Sequence, residues 1–340
     1  MKAAVYHGPN RPLDLTEVPT PKPTTGEVLI KVHGCGLCHT DLHYLEHGVK
    51  TFKPPPIVLG HEAAGVIAAL GAGVETHAVG DRVLIPSVYS CRQCEYCRNG
   101  RENLCERLIM LGNHVDGAYA DFVAVPAAVL VPVPLSLPLE RACVIADALS
   151  TPYHAVKNRA RVRVGDTVAV VGCGGLGLNV VQCATVAGAR VIAIDINDDH
   201  LKTARSLGAV ETINSNEVER VDKHVRTLTD GGVDIAFEAI GQPGTITLGF
   251  NLLRKGGRLC VIGFAHEPVP LNAGKLMFYE LEVVGSLGCG GGEYPEIMKL
   301  VEAGRLTLDP IVSGTLPLDD INEGFDRMRQ GQGVRWVVTP

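Results

Sequence analysis

The chain has 340 residues, of which 46% are hydrophobic and 20% charged, and its net charge is −6. This length predicts about two domains, and an acidic chain without a Lys/Arg cluster disfavours nucleic acid or an anionic membrane as a partner. The start MKAAVYHGPNRPLD lacks the apolar core of a signal peptide, and eleven cysteines, an odd number, fit a reduced compartment better than a disulfide scaffold. We therefore expect a soluble cytoplasmic protein.

The chain contains two successive regions with different sequence patterns. Residues 1–150 contain short apolar segments broken by Gly and Pro, namely KAAVYH, GEVLIKVHGC, AAGVIAAL, DRVLIPSV and YADFVAVP, which predict a mostly β domain. Over 151–287 strand-like segments such as TVAVV and RVIAID alternate with helix-like segments such as LGLNVVQCATVAGA and DDHLKTARSLGA. This alternation predicts an α/β domain with a parallel sheet. Residues 288–340 are mixed again, and we expect them to be a return segment that completes the first, catalytic domain.

The first cluster of potential metal ligands lies in HGCGLCHTDLH and GHEAAG. Cys35, Cys38, His61 and Glu62 are candidates, and a catalytic zinc needs three protein ligands and one open position. Spacing alone leaves other interpretations open. Cys35 and Cys38 have the spacing of a redox pair, and His61 could be a buried histidine of the core.

Four cysteines then follow within CRQCEYCRNGRENLC, a polar stretch without the pattern of a strand or an amphipathic helix. Because the stretch has no apolar face to bury, a metal would have to supply its order. Four thiolates without an open position predict structural zinc in a lobe over about 91–105. An iron–sulfur cluster and disulfide pairing are the alternatives. The predicted ligands are Cys91, Cys94, Cys97 and Cys105.

A glycine-rich turn joins the strand TVAVV to the helix that follows it. G-x-G-x-x-G in this context predicts a dinucleotide-binding loop, in which the pyrophosphate lies at the helix N-terminus. The predicted cofactor-binding residues of the loop are Gly172, Gly174, Gly175, Leu176 and Gly177.

Asp195 ends the next strand, 23 residues after Gly172, where an acid is expected to bind the cofactor ribose. A carboxylate about 4 Å from a 2′-phosphate would repel it by roughly 1–4 kcal/mol per charge. The first cation after Asp195 is Lys202, so we expect NAD and not NADP.

These motifs occur in the order found in the zinc-dependent medium-chain alcohol dehydrogenases, which the chain resembles essentially from end to end. GCGLCHTDLH, GHEAAGV, GDRV, the four-cysteine lobe and VVGCGGLG carry the resemblance. It implies a GroES-like β catalytic domain beside a Rossmann domain with a doubly wound parallel sheet. It also implies two zinc ions per chain, NAD, an alcohol or carbonyl substrate, and a homodimer or homotetramer.

By this resemblance Cys38 and His61 bind the catalytic zinc, and Glu62 is an acid that can transiently replace a departing ligand. The best-known members carry Cys as the third ligand. The matching stretch here, ACVIADALSTPYHAV, carries Asp147, as in the bacterial secondary-alcohol branch. Cys143, four residues earlier, is the competing candidate.

The resemblance also implies a path for the proton. Thr40 contacts the alcohol oxygen, the cofactor ribose follows in the path, and His43, a residue type that titrates near neutral pH, passes the proton to water. Asp41 would orient His61, although capping of a helix explains this residue equally well.

Two further cofactor contacts are implied by the matching positions. His39 stands where the family often has a cationic contact to the pyrophosphate. His200 stands where it often has a ribose-binding Lys, with Lys202 as a substitute.

Several functions compete on this sequence. The leading one is NAD-dependent oxidation of a secondary alcohol, and a polyol or amino-alcohol dehydrogenase of the same fold is a close rival. A quinone or enone reductase of this fold would lack both metal sites. A non-catalytic redox sensor built on Cys35 and Cys38 belongs to a different class.

Overall fold

Two units divide the chain between them. The mixed-strand unit comprises Met1–Ser150 and Gly288–Pro340, and the parallel-sheet unit comprises Thr151–Leu287. The computed structural model describes all 340 residues. None of its helices has the length and apolar composition needed to span a bilayer.

The mixed-strand unit contains twelve strands and several short helices. The strands are β1 (Lys2–Tyr6), β2 (Asp14–Glu17), β3 (Glu27–Gly36), β4 (Ile57–Val58), β5 (Glu62–Leu70), β6 (Arg82–Ile85), β7 (Val88–Tyr89), β8 (Ile109–Met110), β9 (Phe122–Pro126), β10 (Val131–Pro132) and, in the return segment, β17 (Val312–Pro317) and β18 (Arg335–Thr339). The helices are α1 (His39–Glu46), α2 (Glu95–Arg98), α3 (Leu139–Ala142), α10 (Tyr294–Glu302) and α11 (Ile321–Arg329). Single 3-10 turns lie at Glu102–Leu104, Ala127–Val129, Cys143–Ala146, Gly291–Glu293 and Leu318–Asp320.

Most of these strands join one seven-stranded sheet. Its order is β10-β6-β5-β3-β18-β17, with β9 also paired to β3, while β2-β1-β4 and β7-β8 form two smaller sheets. The alternation in EVLIKVHGCG explains the role of β3, because Val28, Ile30 and Val32 are buried whereas Lys31 and His33 are exposed. β3 is therefore the strand around which the core of this unit is organised.

The parallel-sheet unit follows. Helix α4 (Ser150–His154) leads into it and continues as a π-helical segment, Ala155–Ala160. Its strands are β11 (Thr167–Val171), β12 (Arg190–Asp195), β13 (Glu211–Asn214), β14 (Val233–Glu238), β15 (Leu253–Val261) and β16 (Glu282–Gly285). Its other helices are α5 (Gly175–Val186), α6 (Asp198–Ser206), α7 (Val221–Leu228), α8 (Pro243–Leu252) and α9 (Ala273–Phe278).

These six strands form one fully parallel sheet in the order β13-β12-β11-β14-β15-β16. The order reverses at β11, so this is a doubly wound Rossmann sheet. The central strands β11 and β12 are almost entirely buried, as expected when helices cover both faces of a parallel sheet. The predicted fold class, a mostly β domain with an α/β parallel-sheet domain, is confirmed.

The turn between β11 and α5 depends on two glycines for different reasons. Gly172 has φ +89°, in the left-handed region that glycine adopts at no steric cost. A Cβ at Gly177 would lie 1.7 Å from the carbonyl oxygen of Gly172, whereas a Cβ at Gly174 would meet open space. Gly177 therefore allows α5 to pack on the turn, and Gly174 leaves the space above the turn clear.

We predict that Gly177→Ala lowers the free energy of unfolding by about 1–3 kcal/mol, because the added methyl group overlaps backbone that cannot move away cheaply. Gly174→Ala is the matched control, since its methyl group meets no atom, and its loss should be smaller. Denaturant unfolding of both variants measures this difference. Equal losses would contradict the steric explanation.

Candidate active site

Antiparallel pairing of β3 with β5 brings the first two candidate ligands together. Gly36 at the end of β3 is opposite Glu62 at the start of β5. Cys38 follows β3 and His61 precedes β5, so both residues lie at the same end of the strand pair. Both side chains are buried.

Asp147 reaches the same place from the 3-10 turn after α3. Its Oδ2 lies 3.8 Å from Cys38 Sγ and 3.8 Å from His61 Nε2. Donor atoms bound about 2.0–2.3 Å from one tetrahedral zinc ion lie roughly 3.3–3.8 Å apart. The three donor atoms are therefore spaced as ligands of a single ion.

The hydrogen bonding and protonation of these donor atoms are also consistent with metal binding. His61 Nε2 is buried and has no hydrogen-bond partner, which is costly unless something else binds it. Burial alone would raise the pKa of Cys38, but the opposing charges nearby, of which Arg335 is the largest, outweigh burial and lower it. This side chain is thereby favoured as a thiolate, the form that binds zinc.

The competing cysteines lie elsewhere. Cys143 is fully buried, its Sγ contacts the carbonyl oxygen of Glu140 at 3.5 Å, and it is not part of the ligand cluster. Cys35 is also fully buried and outside the cluster. Burial raises the pKa of both thiols well above the ordinary value, which makes them poor metal ligands.

Asp41 combines the two roles that the sequence left open. It is fully buried, and its Oδ2 accepts hydrogen bonds from the backbone N–H of Cys38 at 3.3 Å and from the Tyr119 hydroxyl at 2.7 Å. Its Oδ1 lies 3.7 Å from His61 Nδ1. Asp41 thus caps the start of α1 and faces the remote ring nitrogen of the histidine.

Glu62 belongs to the same cluster and has a partner that sequence reasoning missed. Glu62 and Arg335 are both buried, and Arg335 Nη1 lies 3.4 Å from Glu62 Oε1 and 2.7 Å from the carbonyl oxygen of Leu37. Burial raises the pKa of Glu62 well above the usual range, and Arg335 opposes this shift. Pairing of β18 with the end of β3 places Arg335 there. A lone Arg at the start of the apolar strand RWVVT was the only signal in the sequence.

The residues predicted for the proton path share one helix. Thr40 Oγ1 lies 3.6 Å from Cys38 Sγ, and His43 is half-buried one turn further along α1. His43 Nδ1 lies 3.0 Å from Nδ1 of His47, an exposed histidine that sequence reasoning did not single out. His39, at the start of the helix, is exposed.

The four-cysteine lobe has the geometry of a second, closed metal site. Sγ–Sγ distances are 3.9 Å for Cys91–Cys97, 3.5 Å for Cys94–Cys97 and 3.9 Å for Cys94–Cys105, close to the roughly 3.8 Å expected for a tetrahedral set of thiolates around zinc. Backbone N–H groups of Gln93 and Cys94 lower the pKa of Cys91 to about 5.

The lobe contains more helix than its polar sequence predicted, because the single turns α2 and Glu102–Leu104 form between the cysteines. Each of these elements is only one turn long, too short for the periodicity that identifies a helix in a sequence.

In the parallel-sheet unit, Asp195 lies against the glycine turn. Its Oδ2 accepts the N–H of Cys173 at 2.6 Å, and its Oδ1 accepts the N–H of Asn197 at 2.8 Å and lies 3.6 Å from His200 Nδ1. Burial would raise the pKa of Asp195, but His200 and the backbone donors outweigh burial and lower it. Lys202 does not join this group, because its Nζ contacts Asp199 at 2.9 Å.

Comparison with known proteins agrees with this geometry. A family model described as an alcohol dehydrogenase GroES-like domain matches residues 24–135, and one described as a zinc-binding dehydrogenase matches residues 175–303. The chain is 35% identical over 364 residues to the probable S-(hydroxymethyl)glutathione dehydrogenase 1 of Schizosaccharomyces pombe, covering 99% of this chain and 96% of that protein. It is 36% identical over 334 residues to an alcohol dehydrogenase of Geobacillus stearothermophilus, covering 98% and 97%. A solved structure of an NAD-dependent alcohol dehydrogenase has a TM-score of 0.93 and 32% identity and covers all of both chains.

The chain therefore belongs to the zinc-dependent alcohol dehydrogenases of the medium-chain family. It is an oxidoreductase that interconverts an alcohol and the corresponding carbonyl compound. The GroES-like and Rossmann domains expected from the resemblance are confirmed.

We predict that Arg335→Gln destabilises the fold by up to about 3–5 kcal/mol, because Glu62 then has no cation, and a buried carboxyl group without one must either stay charged and unpaired or take up a proton. Arg329→Gln is the control, since Arg329 pairs with Glu46 at the surface and its loss should cost about 0–1 kcal/mol. Denaturant unfolding measures both changes, and the double variant Glu62→Gln/Arg335→Gln should recover part of the loss. A loss for Arg335→Gln no larger than that of the control would contradict a buried ion pair.

Proposed function

We propose that this enzyme reversibly oxidises a secondary alcohol to a ketone, with transfer of the hydride to NAD, at a zinc ion held by Cys38, His61 and Asp147. The observation that carries the proposal is the convergence of three donor atoms. Asp147 Oδ2 lies 3.8 Å from Cys38 Sγ and 3.8 Å from His61 Nε2. The enzyme uses NAD and zinc. The four-thiol lobe is assigned to a second, structural zinc.

When bound, zinc lowers the pKa of an alcohol in its open position, and NAD accepts the hydride. One thiolate, one carboxylate and one neutral imidazole together carry two negative charges, which balance the charge of Zn²⁺. The set supplies three ligands and leaves room for a fourth, as a catalytic site requires. Glu62 lies within the same cluster of donor atoms and is the proposed exchange ligand.

Thr40 and His43 are proposed to carry the proton away. Their spacing of three residues places both on one face of α1, and the Thr40 hydroxyl lies beside the ligand Cys38. The Thr40 hydroxyl would accept the proton of the alcohol while it releases its own, and His43, half-buried on the same helix, would take up a proton at its ring nitrogen and pass it towards water.

The preference for NAD is supported by the surroundings of Asp195. Backbone N–H groups and His200 lower the pKa of this carboxyl, so it is negatively charged at neutral pH and would repel a 2′-phosphate. Lys202 pairs with Asp199 and does not offset that charge. Gly172, Gly174, Gly175, Leu176 and Gly177 are proposed to bind the pyrophosphate, and His39 is proposed to contact it.

The secondary-alcohol assignment rests on Asp147, since the branch of the family that the chain resembles at this position acts on secondary alcohols. Its test is a comparison of kcat/KM for 2-butanol, 1-butanol, 2,3-butanediol and S-(hydroxymethyl)glutathione, each with NAD and with NADP. We expect 2-butanol with NAD to give the highest value. A higher value for 1-butanol or the glutathione adduct would reject the secondary alcohol, and a higher value for the diol would favour the polyol class.

A homodimer or homotetramer is proposed from an exposed edge in the parallel-sheet unit. Strand β16 is the last strand of its sheet, and Val283, Met277 and Phe278 near it are 40%, 72% and 73% exposed. An unpaired strand edge with exposed apolar side chains favours association with a second copy.

The cytoplasm is the proposed compartment, because both metal sites need reduced cysteines.

We predict that Asp147→Ala removes one of the two zinc ions and abolishes alcohol oxidation, because only two permanent protein ligands remain at the open site and Glu62, the exchange ligand, replaces a third only transiently. Cys143→Ala is the matched control and should keep both ions. Elemental analysis and NAD reduction measure these outcomes. Full zinc content in Asp147→Ala together with loss in Cys143→Ala would reverse the assignment.

Replacement of His43 by Gln should slow alcohol oxidation at neutral pH by about 100-fold, the lower end of the range for a lost acid–base group. The loss should shrink at alkaline pH, because hydroxide then takes the proton directly. The pH profile of kcat measures this, with His33→Gln, an exposed histidine on β3, as the control. A loss that is uniform over the pH range would contradict a proton path through His43.

A further inference from the structure

Asp147 lies at a break in the backbone, between the 3-10 turn Cys143–Ala146 and the start of α4 at Ser150. Its backbone dihedrals are φ −142° and ψ −57°, which are not those of a helix. Regular helical hydrogen bonding on both sides therefore does not fix this residue. Some other contact has to hold it in place, because a metal ligand must keep its position closely.

The carbonyl of the preceding residue, Ala146, has two side-chain partners. The Tyr294 hydroxyl donates to it at 2.8 Å and the Ser150 hydroxyl at 3.0 Å, and the two hydroxyl oxygens are 3.4 Å apart. All three residues are buried and belong to the mixed-strand unit. Burial raises the pKa of Tyr294 well above its ordinary value, so its hydroxyl keeps the proton that it donates.

The peptide bond connects this contact to the ligand. The carbonyl of Ala146 and the Cα of Asp147 lie in one rigid peptide plane. A carbonyl held from two directions therefore fixes the orientation of the plane from which the Asp147 side chain extends. We propose that Tyr294, at the start of α10, and Ser150 are positioning residues that aim the Asp147 carboxylate at the catalytic zinc.

This inference rests on the proposed role of Asp147 as a ligand. Neither hydroxyl group is assigned to the metal or to the substrate, and both act through the backbone. The sequence separation of 148 residues between Tyr294 and Ala146 means that the return segment takes part in the geometry of the metal site.

The test measures how fast each purified holoenzyme releases zinc to a chromophoric chelator. Tyr294→Phe removes only the hydroxyl and should release one of its two ions about 10–100-fold faster, the effect typical of a lost contact behind a metal ligand. The ion of the four-cysteine lobe serves as the internal reference and should leave at the parent rate. When Co²⁺ replaces the catalytic zinc, the visible absorption bands of the Tyr294→Phe variant should also be shifted from those of the cobalt-substituted parent.

Tyr89→Phe is the matched control, because the Tyr89 hydroxyl is buried and has no hydrogen-bond partner. It should release both ions at the parent rate. Ser150→Ala removes the second donor with little change in volume and should also release the catalytic ion faster, so that the proposal can still be judged if Tyr294→Phe folds poorly.

Release rates and cobalt spectra of Tyr294→Phe and Ser150→Ala that match those of the parent would overturn the proposal. Asp147→Ala separates the two possible failures. If it loses the catalytic zinc while the two hydroxyl variants release zinc like the parent, only the positioning role is wrong. If it retains the zinc, the ligand assignment is wrong and the positioning role with it.

Discussion

The antiparallel pairing of β3 with β5 and β18 is the constraint on which the active site depends. Backbone hydrogen bonds fix the register of these strands, so the residues just beyond their ends occupy set positions. Cys38 follows β3, His61 precedes β5, and Arg335 begins β18. A slip of one residue in either pairing would turn the side chains to the opposite face and would separate the sulfur, nitrogen and guanidinium groups. The ligand geometry is therefore a consequence of sheet register.

Charge distinguishes the two metal sites of this enzyme. The lobe offers four thiolates and no further position, which gives an ion a stable and chemically closed environment. The buried site offers fewer charges, because a neutral imidazole replaces one thiolate and the Glu62 carboxylate is paired with Arg335. A Zn²⁺ ion held there by Cys38, His61 and Asp147 would be nearly balanced in charge, and these three ligands would leave one position for the substrate. The same metal can thus stabilise the fold at one site and support the reaction at the other.

Much of the fold was predictable from local pattern. The alternation in EVLIKVHGCG and the buried runs TVAVV and RVIAID identify strands that the structure contains, and the glycine turn lies where its spacing indicates. Helices α7 and α8 and the short strand β13 were not predicted. In α8 the sequence PGTITLGFNL contains two glycines and two threonines, which favour a helix poorly, and burial of Ile246 and Phe250 against the sheet compensates. Tertiary packing therefore outweighs the low intrinsic helix propensity of this segment.

The sequence by itself determined the family, the four-thiol lobe and the dinucleotide turn, because each of these is encoded in a short contiguous segment whose spacing reflects its chemistry. It could not choose between Asp147 and Cys143 on local grounds, nor could it reveal Arg335 behind Glu62 or Tyr294 behind Ala146. Those choices depend on contacts between residues far apart in the chain. Only the tertiary structure shows that Asp147, and not Cys143, lies beside Cys38 and His61, because strand pairing and helix packing, and not sequence spacing, set the distances between their atoms.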